Sequence, residues 1–499
     1  MSVPVEDLKK VDEILSMVFH DKGSNIVYVS KTHAMFAPVR SYLARLKLQN
    51  GGASLQVQNV AMDFIESKRN SQTATKNFDA NASSMQQTAV EIFKRAYERR
   101  ASDIHIRVTT KGKTQVLFRI HNDLEEFEEH PPTWGQLLMS SIYSSMADVA
   151  DATYNHLARQ DARISSSNKL PAGLESIRVA TTPQVDGSVM VLRMLYNDAG
   201  RSTDIRDLGY SLDQWHLFDN MKRRPTGINI ISGPTGSGKS TTLQRTLLNI
   251  NEMFRGTKHI ITVEDPPEYP MPGIVQTPVT NASSEGDRSE AFQEAIRNTM
   301  RLDPNVIMIG EMRDAPSAKL GVTAAMTGHQ VWTSLHANGA FAIIDRMVDM
   351  GIPINTMTDP TIVTGLICQR LLKVLCNDCK IPLADGLANY SEVNRERVMG
   401  SVHIDSFMMG KGCPSCNHTG IAGRTVVAEV VVPDHKMMTH IRRGDKDAAI
   451  AHWVEQGGET MLAQAIKKIN SGIVDPFLAE EEVGPLNTMA IGSGHSESM

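Results

Sequence analysis

The chain has 499 residues, room for about three domains of ~150 residues each, so a small disulfide-stapled module is excluded and real cores can form. Hydrophobic residues make up 41% and charged residues 21%, near globular averages, which excludes a chain that is disordered, collagenous or coiled-coil as a whole. Fifty-one Lys+Arg against 56 Asp+Glu give a net charge of −5, which argues against nucleic-acid binding through bulk positive charge.

The N-terminal stretch MSVPVEDLKKVDEILSM interleaves charges with its apolar residues and lacks the core of a secretory signal. Apolar runs such as Ile228 to Ile231 and Val306 to Ile309 fall far short of the roughly 18 residues of a membrane helix, so a cytosolic location is expected. Residues 1–69 show Val11, Ile14, Leu15 and Val18 at helical spacing, followed by the strand-like Ile26 to Val29, and predict a small α/β module. Residues 70–84 turn to Ser, Thr, Asn and Ala, which cannot bury a core, and read as a linker. An α+β domain over 85–200 is expected next, with a helix from Met85 to Arg99 and strands Ile104 to Val108 and Thr114 to Ile120.

Over 205–365 the pattern becomes that of a nucleotide-binding α/β domain: a helix Ser211 to Met221, a strand Gly227 to Ser232, a Gly-rich turn, and a helix from Lys239. Strands at His259 to Val263, Val306 to Ile309 and Gln330 to Leu335 then alternate with helices, as a parallel sheet requires. Residues 366–480 are expected to form a mainly helical region, and 484–499 a small, polar, disordered tail.

Gly233, Pro234, Thr235, Gly236, Ser237, Gly238, Lys239 and Ser240, followed by Thr241, fit G-x-x-x-x-G-K-[ST] between an apolar strand and a helix. Small residues let backbone N–H groups wrap phosphates, Lys239 reaches the β- and γ-phosphates, and Ser240 holds Mg²⁺. The apolar strand Val306 to Ile309 delivers Glu311 at its C-terminal end, where an open parallel sheet binds ligand, so Glu311 takes the hydrolytic role of orienting the attacking water. The run Thr262 to Glu268 is a second strand ending in acids, and Glu264 and Asp265 could reach the metal shell; an acidic turn is the structural alternative. His329 and His336 flank one strand, and a neutral imidazole near the γ-phosphate can sense it. Cys376/Cys379 and Cys413/Cys416 are two C-x-x-C pairs able to give four thiolates to one Zn²⁺. The rival is a redox pair at Cys413 and Cys416, which has no need of a second C-x-x-C. Cys368 reads as a buried thiol.

The segments GPTGSGKSTT, TVEDPPEY, DPNVIMIGEMRD and TGHQVWTSLHANGA resemble, in the same order, the Walker A, Asp, Walker B and His boxes of the type II/type IV secretion system ATPases. This protein E family includes type IV pilus assembly motors, and the similarity covers roughly residues 85–435. The resemblance implies an α/β fold: a RecA-like P-loop domain preceded by an α+β PAS-like domain, with a small N-terminal module and a C-terminal zinc-binding helical region. It gives Glu264, Glu311, His329 and His336 catalytic and sensing positions. Gln160-Asp161-Ala162-Arg163 and Ile177-Arg178-Val179 resemble the segments whose arginines reach nucleotide phosphate, so Arg178 and then Arg163 are expected to do so. Ala101 to Ile106 matches the family's entry strand, whereas Arg119-Ile120-His121-Asn122-Asp123 departs from its R-I-D-G turn. Gln369-Arg370-Leu371 and Thr419 to Arg424, flanking the cysteines, resemble the tetracysteine subdomain.

The expected protein is therefore a cytoplasmic homohexamer using ATP, Mg²⁺ and Zn²⁺, peripheral to the inner membrane through a platform protein, and without direct nucleic-acid contact. Its expected work is type IV pilus assembly, conjugative thin pili included. A type II secretion pseudopilus motor and a retraction motor are the alternatives within the family, although retraction motors generally lack the tetracysteine insert and long N-terminal extension. Outside it stand a RecA-like nucleic-acid motor and a nucleotide-regulated scaffold.

Overall fold

The computed structural model describes residues 17–21, 26–49, 56–60, 62, 65, 84–150, 153–165, 168–197, 202–279 and 285–488, and divides into two bodies. The first holds most of the chain up to Met194, and the second holds the chain from Leu195 together with Arg99–Asp103 and the hairpin tip Phe118–Glu125.

At the start of the first body, strand Ile26–Ser30 pairs antiparallel with Val18–Asp21 and parallel with Gln56–Val60. A parallel partner requires a crossover, and helix Ala37–Gln49 lies in that connection. Alternation along the central strand splits its side chains: Val27 and Val29 pack with Val18 and Val39, while Tyr28 packs with Phe19 and Ile65. The described residues thus hold three strands and a helix within the 1–69 segment. Val11, Ile14, Leu15 and residues 70–83 of the expected linker lie outside the described residues.

A seven-stranded sheet follows, in the order Asp123–His130, Thr114–Ile120, Asp103–Val108, Gly187–Tyr196, Leu174–Gln184, Gln160–Ile164, Val149–Ala150. Helix Ser84–Glu98 buries Ala89, Ile92, Phe93 and Ala96, the i, i+3, i+4, i+7 set of one helical face. The strands expected at Ile104 to Val108 and Thr114 to Ile120 form with at most one residue of change.

The second body is built on another seven-stranded sheet, ordered Val275–Pro278, Ile260–Glu264, Val306–Ile309, Gln330–Leu335, Gly227–Ser232, Val363–Leu375, Ile421–Val431. The first six run parallel, and the last pairs antiparallel with Val363–Leu375. Both faces are buried. Ile228, Ile230, Ile307, Ile309 and Val331 join one core, while Ile231, Val306, Met308 and Trp332 join the other with Leu243, Leu247 and Phe218. Burial on both sides is why these strands are continuous apolar runs in the sequence. Helix Leu212–Arg223 opens with a capping box in which Ser211 and Gln214 satisfy each other's backbone N–H groups.

The expected boundary at 365 is corrected by this sheet. Val363–Leu375 is one strand that crosses it, and the region after 366 is not mainly helical at its start, because Ile421–Val431 returns to pair from Leu366↔Val431 to Leu375↔Ile421. A strand buried on both faces shows no alternation, so VTGLICQRLLKVL cannot be told from a buried helix by period alone. Helices His435–Arg442, Lys446–Glu455, Met461–Asn470 and Pro476–Val483 complete the region, each begun by an Asp or Thr N-cap. At the tail, Leu486 is buried, and 489–499 lie outside the described residues. Among the described residues no helix is long and apolar enough to cross a membrane.

Trp332 is fully buried and stacks on Phe218 at 6.3 Å, yet its indole N–H has no hydrogen-bond partner. Trp332→Ala should therefore cost about 3–5 kcal/mol of stability through the cavity it leaves, and Trp332→Phe distinctly less, since no hydrogen bond is lost. Thermal unfolding of the two variants against wild type measures this.

Candidate nucleotide site and thiol cluster

Parallel strands carry their C-terminal ends to one edge, and that edge collects the site. Gly227 pairs with Gln330 and Ser232 with Leu335, so the phosphate loop after Ser232 lies beside His336. Val263 pairs with Ile309, which sets Glu264 beside Gly310 and Glu311.

The loop itself is shaped by glycine. At Gly233, φ is +146°, and a Cβ would come within 2.4 Å of the Gln369 carbonyl oxygen and 2.6 Å of Ser237 Oγ. Gly238, at φ +87°, is the last residue before helix Lys239–Met253, and it lets the chain turn from loop into helix. Lys239 Nζ donates to the carbonyl oxygens of Gly233 (2.9 Å) and Pro234 (3.0 Å), across the loop from its own helix. Burial pushes the Lys239 ammonium below the usual lysine range, and the Glu311 carboxylate opposes that shift. Ser240 is exposed at the helix start.

Glu311 is held in place by backbone from both flanking strands. Gly310 N–H donates to Val263 O (2.9 Å), Met312 N–H to Ser334 O (2.9 Å), and Ser334 Oγ to Gly310 O (2.7 Å). Its carboxylate lies 2.7 Å from Arg313 Nε through Oε2 and 2.8 Å from His336 Nε2 through Oε1. Glu264 is more deeply buried. Its Oε1 accepts from Thr262 Oγ1 (2.7 Å) and Gln276 Nε2 (3.0 Å), and burial raises its carboxyl against the pull of those two hydrogen bonds. Asp265 pairs with Arg288 at 3.4 Å.

Lys239, Glu264, Glu311 and His336 are thus brought to one edge. His329 is not. It precedes Gln330 at the opposite end of a six-residue strand, about 20 Å from His336. There its Nδ1 lies 2.9 Å from Ala324 O and its carbonyl accepts from Gly227 N–H. Within one chain it serves the end of helix Ala315–Met326, away from the phosphate edge. Arg163 and Arg178 face each other in register across two strands of the first body, with Arg163 Nε buried and unpartnered.

Sequence reading missed Arg313 and Gln276 as partners of the two acids. Arg313 stands two residues after Glu311 in GEMRD and carried a local signal; Gln276 is 12 residues from Glu264 and acts only through tertiary contact.

The four cysteines converge. Cys376–Cys413, Cys379–Cys416 and Cys413–Cys416 sulfurs are each 3.8 Å apart, and all four lie within 4.8 Å of one another. A tetrahedron of ~2.3 Å zinc–sulfur bonds has edges of roughly 3.8 Å, so the donor set and spacing fit Zn²⁺. Backbone N–H groups of Cys413 and Gly420 both donate to Cys416 Sγ at 3.2 Å, and they pull that thiol down to about 6. Cys368 lies apart and fully buried, its thiol raised to about 11 by burial, which makes it inert.

A parallel α/β sheet with a phosphate loop, a lysine, two strand-end carboxylates and a histidine at its C-terminal edge defines a P-loop nucleotide-hydrolysing enzyme. The profile of the family described as Type II/IV secretion system protein matches residues 79–484. Type II secretion system protein E of Pseudomonas aeruginosa is 34% identical over 379 residues, 76% of this chain and 71% of that protein. Type II secretion system ATPase E of Vibrio cholerae is 32% identical over 376 residues, 75% of this chain and 70% of that protein. Among solved structures, the pilus retraction motor PilT with bound ADP aligns with a TM-score of 0.51 at 25% identity, over 79% of this chain and 96% of that one. The ATPase DotB of Legionella pneumophila, at 20% identity, shares the fold with a TM-score of 0.54 over 78% of this chain and 93% of its own. The chain belongs to the type II/IV secretion system protein family, and it is an ATPase.

Two outcomes are expected from this geometry. Lys239→Ala should abolish ATP turnover, and Glu311→Gln should keep nucleotide binding while lowering the hydrolysis rate by at least about 10²-fold, read by phosphate release and equilibrium nucleotide titration. Purified protein should carry about one zinc per chain, lost in Cys413→Ser, as metal analysis by mass spectrometry would show.

Proposed function

We propose that this ATPase is the motor of type IV pilus assembly, acting as a cytoplasmic homohexamer recruited to an inner-membrane platform protein. The observation that carries a hydrolytic motor is the convergence of Lys239, Glu264, Glu311 and His336 on one sheet edge. What supports assembly over retraction is the four-thiol cluster together with the separate N-terminal α/β module.

In this reading water attacks the γ-phosphate in line. Glu311 orients that water, Lys239 leaves its carbonyl partners for phosphate oxygen, and His336, already bonded to Glu311, reports phosphate occupancy to the carboxylate. Ser240 would hold Mg²⁺ with Glu264 as the second candidate residue, and the ion would supply positive charge to the phosphates. The seven-stranded sheet of the first body is read as the PAS-like domain, with Arg178 and Arg163 as its phosphate-reaching side chains. The two side chains stand directly opposite on neighbouring strands, so both guanidinium groups are carried at one place on the sheet, which supports that role.

A second reading, a type II secretion motor, is favoured by what the Pseudomonas and Vibrio relatives are called. Deletion of the gene in its host, complemented by wild type or by Glu311→Gln, separates the two. Pilus assembly predicts loss of surface pili by electron microscopy, restored by wild type alone. Intact pili with a defect in exoprotein release would move the assignment to type II secretion.

A further inference from the structure

Beneath the phosphate loop lies a buried polar chain that no hydrolytic role has used. Gln369 is fully buried on strand Val363–Leu375, the neighbour of the loop's own strand. Its Nε2 donates to Ser237 O at 2.7 Å, and its Oε1 accepts from Tyr210 Oη at 2.7 Å. Tyr210 is itself buried, 3.4 Å from Thr242 Oγ1 on the helix that begins at Lys239. Gln369 also meets the loop elsewhere: its carbonyl oxygen limits the space at Gly233, and its amide nitrogen would lie 3.2 Å from a Cβ at Gly238.

The consequence follows from peptide geometry. In a trans peptide the C=O and the following N–H point in opposite directions. A side chain that holds the Ser237 carbonyl toward the sheet therefore turns the Gly238 N–H away from it, and Gly238 N–H belongs to the loop that wraps phosphate. Glycine at 236 and 238, at φ +81° and +87°, leaves the loop free to rotate that plane unless something fixes it. Local sequence cannot supply the restraint, so a distant buried amide does.

We propose that Gln369, anchored by Tyr210, is a positioning residue of the nucleotide site, setting the Ser237–Gly238 peptide so that the loop is shaped for phosphate. The role rests on the phosphate loop binding nucleotide, and it adds the residue that preorganises the loop. Loss of the restraint appears as weaker binding, because the loop must then be ordered on each encounter.

The test uses full-length protein, titration with a fluorescent ADP analogue, and steady-state ATP hydrolysis. Gln369→Met keeps the volume and loses the donor; it should weaken ADP binding and raise KM about tenfold, with kcat within about threefold of wild type. Gln369→Glu should be weaker still, since a carboxylate oxygen would face the Ser237 carbonyl. Tyr210→Phe should shift affinity less, in the same direction, and add nothing in the Gln369→Met background. Unchanged affinity in folded Gln369→Met, a fall in kcat at constant KM, or full additivity of the two changes would overturn the role. Should Gln369→Met fail to fold, Tyr210→Phe decides, because it removes a single oxygen; unchanged affinity there overturns the proposal. Wild type that does not bind the ADP analogue would instead overturn the reading of the loop as a nucleotide site.

Discussion

The parallel register of the four central strands is the constraint on which the site depends. Because Gly227–Ser232, Ile260–Glu264, Val306–Ile309 and Gln330–Leu335 run in one direction and in fixed register, four separate stretches of sequence end at one edge. Each strand-end residue takes its position from ladder hydrogen bonds that are buried on both faces. A slip of one residue along any strand would turn its side chains to the other face and lose both the core and the site together, so the fold and the chemistry share one specification. The same constraint separates the two histidines of a single strand, since a parallel strand has only one end at the ligand edge.

Charge at that edge is balanced by partners drawn from nearby. Lys239 rests on two carbonyl oxygens, and Glu311 rests on Arg313 and His336. Such partners matter because a partly buried charge left unpaired costs more than its pair gains. Carbonyls are weaker partners for an ammonium than phosphate oxygens, so the lysine is satisfied yet can be exchanged. Glu264 differs: two neutral donors hold it in a buried position that disfavours its charge, an environment that a divalent cation would reverse.

Much of this was legible in the sequence, and what escaped has a common cause. The phosphate loop, the strands Gly227–Ser232 and Val306–Ile309, and the acids at 264 and 311 announce themselves locally, because glycine spacing, apolar runs and strand-end carboxylates are short-range signals. The four cysteines were readable for the same reason, each pair being a short C-x-x-C signal. The strand Val363–Leu375 escaped because it is buried on both faces and has no period. Gln276, and the contact of Gln369 with the phosphate loop, escaped because an uncharged amide gives no sign of its partner until the fold shows what it touches. His329 was placed by the family resemblance alone; it stands at the N-terminal end of its strand, away from the edge where a parallel sheet gathers ligand.

One strand joins the two sites of the second body. Val363–Leu375 lies beside the phosphate-loop strand over its first half, where Ser232 Oγ donates to Ile367 O and Gln369 supports the loop. It then passes directly into Cys376, whose N–H donates to Gly420 O, just before the returning strand Ile421–Val431. The thiol cluster therefore sits where two long antiparallel strands leave the sheet. At an open hairpin end, ladder hydrogen bonds are fewest and fraying costs least. Four thiols, two after the first strand and two before the second, converge there, and one bound metal ion would close that end without a hydrophobic core of its own. Metal bound there would pin the register Lys373↔Arg424 through Leu366↔Val431, while the pairing Ser232↔Cys368 on the strand's other side places Gln369 beside the phosphate loop.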